Sequence, residues 1–148
     1  MAAAGLPREQ RFKVIVIDDR PMFANPERFP EAAQTIVEEF EQAFDQLRIN
    51  ERSYVVVVTR GHQWDAPILE QIYHRGLTPC YLGMIGSKAK KKVMWRQLKE
   101  KGLPQGFLDT VHSPIGLNIG ADTPGEIAVS VVAECVQTRR GTRKRLNF

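Results

Sequence analysis

Twice in this chain an apolar run, β-branched in the first case, reaches a glycine turn that opens a helix, and that pattern leaves few folds open. Residues 54–59 (YVVVVT) carry the clearest strand pattern, and they lead through Arg60, Gly61 and His62 into an amphipathic helix bearing Ile68, Leu69, Ile72 and Tyr73, which stops at Gly76. Residues 79–82 form the next strand, turn at Gly83 and Gly86, and enter a lysine-rich helix capped by Ser87. Upstream, 11–18 (RFKVIVID) has the pattern of a strand buried on both faces. A short strand at 34–37 and a helix over 38–47, with Phe40, Phe44 and Leu47 at helical spacing, follow a Pro-rich loop. Downstream come one helical turn at 103–108, a brief strand at 110–113 and a glycine-punctuated loop at 114–121. The last helix is marked by Thr123 as N-cap, Pro124 at its first position and Glu126 completing a capping box. Its 127–136 stretch is apolar nearly all round and predicts a buried helix; Arg139 and Arg140 suit its last turn, and Gly141 ends it.

Strands alternating with helices over short connections mean parallel βαβ units. The expected fold is α/β, a three-layer Rossmann-like parallel sheet with helices on both faces, built as one domain over 1–148. Ligands of such sheets sit beyond the carboxyl ends of the strands. The segments 18–30, 60–65, 83–90 and 114–123 are therefore expected to converge on one cleft.

Charge indicates what the cleft takes. Residues 1–52 carry net −3 and residues 53–148 net +7, the excess lying at 88–101 and 139–145. No helix-turn-helix pattern, zinc spacing or aromatic-rich sheet face accompanies it, so small anions fit better than nucleic acid. No apolar run approaches the ~20 residues of a membrane span. The two cysteines, Cys80 and Cys135, lie in apolar surroundings and suit buried thiols in a reducing cytoplasm.

The lysine helix breaks a local rule. Helix N-termini already carry about half a positive charge, yet Lys88 and Lys90 occupy the first turn, with Lys90 where a capping box places Glu. A bound phosphate would turn that cost into a gain; the plain alternative is a solvated basic face. Gly83 and Gly86 serve either close backbone approach to a phosphate or turn geometry. Asp18 and Asp19, with Arg20 beside them, sit at a strand end where they accept ligand hydroxyls or cap the loop. His62 and Asp65 stand where a strand turns into a helix, Asp65 also as a carboxylate favoured by the helix dipole. Asn118, between Gly116 and Gly120, faces a ligand's ring edge or fills a turn. Cys80 is a ligand by type and an inert buried thiol by position.

In a dinucleotide fold the strand-end acid that holds a ribose hydroxyl follows the G-x-G-x-x-G loop by about 20 residues, and no such space precedes Asp18. The first strand and its phosphate loop are thus expected to be missing by N-terminal truncation, or supplied by another chain. Residues 1–10 are read as the end of a crossover helix and 142–148 as a basic tail.

The motifs DDRPMFANPERFP, VVVVTRGHQWD, YLGMIGSKAKK and SPIGLNIGADTPGEIAVSVVAE, in that order, resemble the C-terminal Rossmann-like domain of the XdhC/CoxI family over residues 11–141. These are accessory proteins of xanthine dehydrogenase and related molybdenum hydroxylases. The resemblance implies a cytoplasmic, dimeric protein that binds the molybdenum cofactor, as molybdopterin or its dinucleotide form. Such a protein holds the cofactor for sulfuration by a desulfurase and passes it to the hydroxylase apoenzyme. It implies a carrier rather than an enzyme, with no catalytic and no metal-ligating residue assigned. The cofactor-binding set is Asp18, Asp19, Arg20, His62, Asp65, Gly83, Gly86, Ser87, Lys88, Lys90, Gly116, Asn118 and Gly120. Two alternatives stand beside it: an NAD(P)-binding oxidoreductase fragment, and a structural half-domain completing a partner's sheet.

Overall fold

A computed structural model of the protein describes residues 12–141. The expected crossover-helix remnant at 1–10 and the basic tail at 142–148 lie outside the described residues. The chain forms two compact units, Met1–Arg48 and Ile49–Phe148.

In the first unit, β1 (Ile15–Asp18) pairs in parallel with β2 (Gln34–Val37), from Ile15 opposite Gln34 to Asp18 opposite Val37. The loop between them is fastened by Asn25, whose side-chain amide donates to the carbonyls of Pro21 and Met22 and whose oxygen accepts from the Arg28 amide. The strand expected over 11–18 begins only at Ile15 and buries none of its four residues. The helix expected over 38–47 is a single turn, α1 (Phe40–Ala43), running into a 3-10 turn at Phe44–Gln46. Its N-cap, Glu39, makes no side-chain cap bond, and so short a helix leans on packing of Ala43 and Phe44 rather than on its own hydrogen bonds.

The second unit is a parallel three-stranded sheet ordered β3 (Tyr54–Val57), β4 (Tyr81–Met84), β5 (Val111–His112). Helix α2 (His62–His74) connects β3 to β4; α3 (Lys88–Glu100) and the single turn α4 (Gln105–Leu108) connect β4 to β5. Helix α5 (Pro124–Arg140) follows. β4 is the central strand and all four of its residues are buried. The buried apolar side chains of this unit include Val57, Ile68, Leu69, Ile72, Met94, Leu98, Leu103 and Leu108.

Two local expectations are corrected. β4 starts two residues later than the 79–82 strand, which places Gly83 inside the strand rather than beside the turn. α5 is capped as expected, the Thr123 side chain accepting from the Glu126 amide and Glu126 accepting from the Thr123 amide. It is not buried all round: Val129 is 62% exposed, while Ser130, Glu134 and Cys135 turn inward. β1 and β3 belong to different sheets. Among the described residues no helix is long and apolar enough to cross a membrane.

Candidate functional site

At the carboxyl ends of β3 and β4 a cleft of about 280 Å³ is lined by Thr59, Arg60, Gly61, Asp65, Ile85, Gly86 and Lys90. Two strand-to-helix turns form it. The amide of Ile85 donates to the Val57 carbonyl at 3.0 Å, carrying the pairing of β3 and β4 one residue past the strands. Gly61 and Gly86 then adopt φ of 155° and 147°, a region that side chains rarely enter, so the turns depend on glycine. The Gly61 carbonyl accepts from the Trp64 and Asp65 amides at 2.9 and 3.2 Å and opens α2.

Asp65 is 3% exposed and accepts a hydrogen bond from the Thr59 hydroxyl. Thr59 in turn accepts from the Gly61 amide at 3.3 Å. This buried carboxylate ties the first turn of α2 to the end of β3 and sets one wall of the cleft. On the opposite wall α3 begins, with Ser87 accepting from the Lys90 amide at 3.3 Å. The Lys90 side chain is exposed and has no carboxylate partner among the described residues. One wall thus presents a helix N-terminus and an ammonium to an anion, while the other presents a carboxylate to a hydrogen-bond donor. The Arg60 guanidinium lies 4.4 Å above the Trp64 ring at the rim.

Of the residues expected from sequence, Asp65, Gly86 and Lys90 meet in this cleft, and Ser87 supports it as N-cap. The His62 backbone opens α2; its side chain lies outside the described ones. Lys88 faces elsewhere, lining a separate groove along α3 with Lys92 and Arg96. Gly83 does not approach a ligand: a Cβ there would meet the Tyr81 phenol at 2.5 Å and Ile115 at 2.8 Å, so the missing side chain makes room for the Tyr81 ring. Gly116, at φ 93°, packs against Ser130 of α5, and its amide donates to Glu134 Oε1 at 3.0 Å. Asn118 and Gly120 are exposed, and the 114–123 loop lends no residue to the cleft.

Asp18, Asp19 and Arg20 belong to the first unit. There Arg20 closes on Asp18 through Nε at 2.8 Å and Nη2 at 3.1 Å, with its own amide on the same carboxylate at 3.0 Å. The guanidinium hydrogen bonds hold the Asp18 carboxyl below its ordinary range. Both Asp18 oxygens thus already accept hydrogen bonds from Arg20.

Thr59, Arg60, Gly61 and Ile85 are lining residues absent from the expected binding set, although the last three fall in segments expected to reach the cleft. A second omission is a buried polar cluster behind β4. The Tyr81 hydroxyl donates to Glu134 Oε1 at 2.6 Å, and the His112 ring stacks on Tyr81 with its Nδ1 3.6 Å from the same oxygen. Burial, reinforced by Glu134, pushes the Tyr81 hydroxyl far above its usual pKa and the Cys135 thiol up to about 11. The sequence signal was a lone acid, Glu134, within an apolar helix. Cys80 precedes β4 at the amino ends of the strands, where its amide bonds the Ser53 carbonyl. Four strand residues, about 13 Å, separate it from the cleft.

Comparison with known proteins places this geometry in context. A family model described as the XdhC Rossmann domain matches residues 1–135. The chain is 39% identical over 137 residues to a probable xanthine dehydrogenase component of Bacillus subtilis (strain 168), covering 93% of this chain and 39% of that protein. It is 34% identical over 129 residues to the uncharacterized protein YqeB of Escherichia coli (strain K12), covering 86% of this chain and 23% of that one. A crystal structure described as a xanthine dehydrogenase from Bacillus halodurans superposes with a TM-score of 0.74 at 31% identity, over 95% of this chain and 39% of that one. The chain therefore spans about two fifths or less of these relatives' lengths.

Proposed function

The chain belongs to the XdhC Rossmann-domain family, and from that premise we propose that it is an accessory protein of molybdenum-hydroxylase maturation. In this reading it binds the molybdenum cofactor and passes it to a xanthine dehydrogenase-like apoenzyme, as a carrier without turnover of its own. A sulfur-donating desulfurase is the second partner, and the setting is the cytoplasm. The names of the Bacillus relatives support the link to xanthine dehydrogenase.

The observation that carries the reading is the two-signed cleft at the ends of β3 and β4. A pterin with a phosphate arm has an anionic end and a donor-bearing ring edge. Lys90 and the α3 amides suit the first, and the buried carboxylate of Asp65 suits the second. About 280 Å³ is at the small end of ligand sites. It has room for the phosphate and part of the pterin. The cofactor itself supplies the metal-dithiolene chemistry to its eventual enzyme; the residues here bind and orient it.

Titration of the purified protein with molybdenum cofactor tests this. Replacing Lys90 by Ala is expected to weaken binding about tenfold, as loss of a charge-assisted contact implies, while Lys88→Ala changes it little. Equal affinity of the wild-type and Lys90→Ala proteins would rule out the cleft as the cofactor site.

A further inference from the structure

We infer that the outer face of α3 is a docking surface for an acidic polypeptide segment of a partner protein. Lys88, Lys92, Arg96 and Lys99 project along one side of that helix into a groove of about 800 Å³. The stripe is about 16 Å long at 1.5 Å per residue. All four are exposed, and none makes an ion pair among the described residues. They stand four, four and three residues apart, the spacings at which like charges on a helix repel by about 0.2–0.5 kcal/mol a pair. Lys88 also opposes the helix dipole, and α3 has no acid in its first turn. Among the described residues Glu100 is the only acid lining the groove, and it bridges to none of the four. Lys101, just past the helix, does find a carboxylate, Glu70, at 2.8 Å; the stripe was left uncompensated while its neighbour was paired.

The shape of the groove selects the partner. Its floor is Trp95, 8% exposed, with the Lys91 ammonium 5.4 Å from the ring centroid and bonded to the Ser113 carbonyl at 3.0 Å. A nucleic-acid base needs an open aromatic face to stack on, and this ring is buried. A membrane-surface helix needs several large apolar side chains projecting beside its cations, and α3 exposes one, Val93, which does not line the groove. A concave, cation-rimmed groove with an aromatic floor fits acidic side chains interleaved with apolar ones. Docking there offsets the repulsion along α3, and complementary charge of this kind chiefly speeds and selects association.

The assignment of that segment to a hydroxylase apoenzyme rests on the handover reading. α3 would then meet the cofactor at its N-terminus through Lys90 and the recipient along its outer side. Anisotropy with a labelled, glutamate-rich amphipathic peptide about three turns long separates the two ideas. Wild-type protein is expected to bind the peptide, and the charge-reversed Lys92→Glu/Arg96→Glu protein to bind it at least about tenfold more weakly with cofactor affinity unchanged. Lys92→Gln/Arg96→Gln, which leaves no new charge to disturb folding, is expected to fall between them. Peptide affinity within about twofold across the three proteins overturns the docking surface, as does tighter binding of a DNA duplex or of phosphatidylserine vesicles than of the peptide. If the peptide binds as expected while cofactor titration fails, the surface stands and the handover reading falls.

Discussion

Three glycines illustrate how differently one residue type is used. Gly86 turns the chain at the cleft, Gly116 seats a loop on α5, and Gly83 lies flat in β4 beneath the Tyr81 ring. Gly83→Ala is therefore expected to destabilise the protein by about 1–3 kcal/mol through overpacking, read as a lower urea midpoint, with cofactor affinity intact. Sequence could name a glycine turn at 83–86 but could not tell which glycine turned. The difference depended on a two-residue shift of β4 and on Tyr81 reaching Glu134 across the fold. The acid pair misled in a similar way. A carboxylate at a strand end looks available until its neighbour folds back, and Arg20 does so. The pH signature follows from Asp18, whose carboxyl is held below its ordinary value by Arg20. Its contribution is complete above the unfolded carboxylate range and is lost as pH falls through the lowered folded value. The stability difference between the wild-type and Arg20→Gln proteins should hold steady from pH 7 to about 5 and shrink below about 4, in urea titrations across that range.

At the scale of elements, α3 and α5 make opposite use of the same device. Both open on a hydroxyl N-cap, but α5 completes its capping box with Glu126 and α3 has Lys90 in that place. Lys90→Glu supplies the missing half. It is expected to raise stability by about 0.5–1 kcal/mol through the reciprocal bond and the helix dipole, and to abolish cofactor binding. A thermal melt paired with a cofactor titration shows the two effects moving in opposite directions; a parallel fall of both would mean that Lys90 supports the fold. Caps, periodicity and glycine stops were legible in sequence, since they rest on contacts within a few residues. β4, α2, α3 and α5 all stand near the expected positions for that reason. The short helix at 38–47 and the one-sided burial of α5 were not legible. Both depend on which long-range surface each segment meets.

For the molecule as a whole, the charge reading and the division of the chain coincide. The charge change drawn at residue 52 holds at the boundary between the compact units, because 49–52 are neutral in sum: residues through Arg48 carry net −3 and those from Ile49 net +7. The α/β class and the Rossmann-like family were readable from alternating strands and helices and from four ordered motifs. The expected convergence of four loops was only partly met: in the second unit the 60–65 and 83–90 segments line the cleft and the 114–123 loop does not. That loop is instead held to α5 by Gly116 and by the Leu117 amide on the Ser130 carbonyl.

The central claim is that this domain holds an anionic pterin cofactor at the ends of β3 and β4 and delivers it. The direct measurement is activation of an apo-xanthine dehydrogenase by cofactor presented on the protein, against the same amount of free cofactor. Faster activation is expected from the loaded wild-type protein, with no advantage from Lys90→Glu. Activation at the free-cofactor rate by the wild-type protein would contradict the claim.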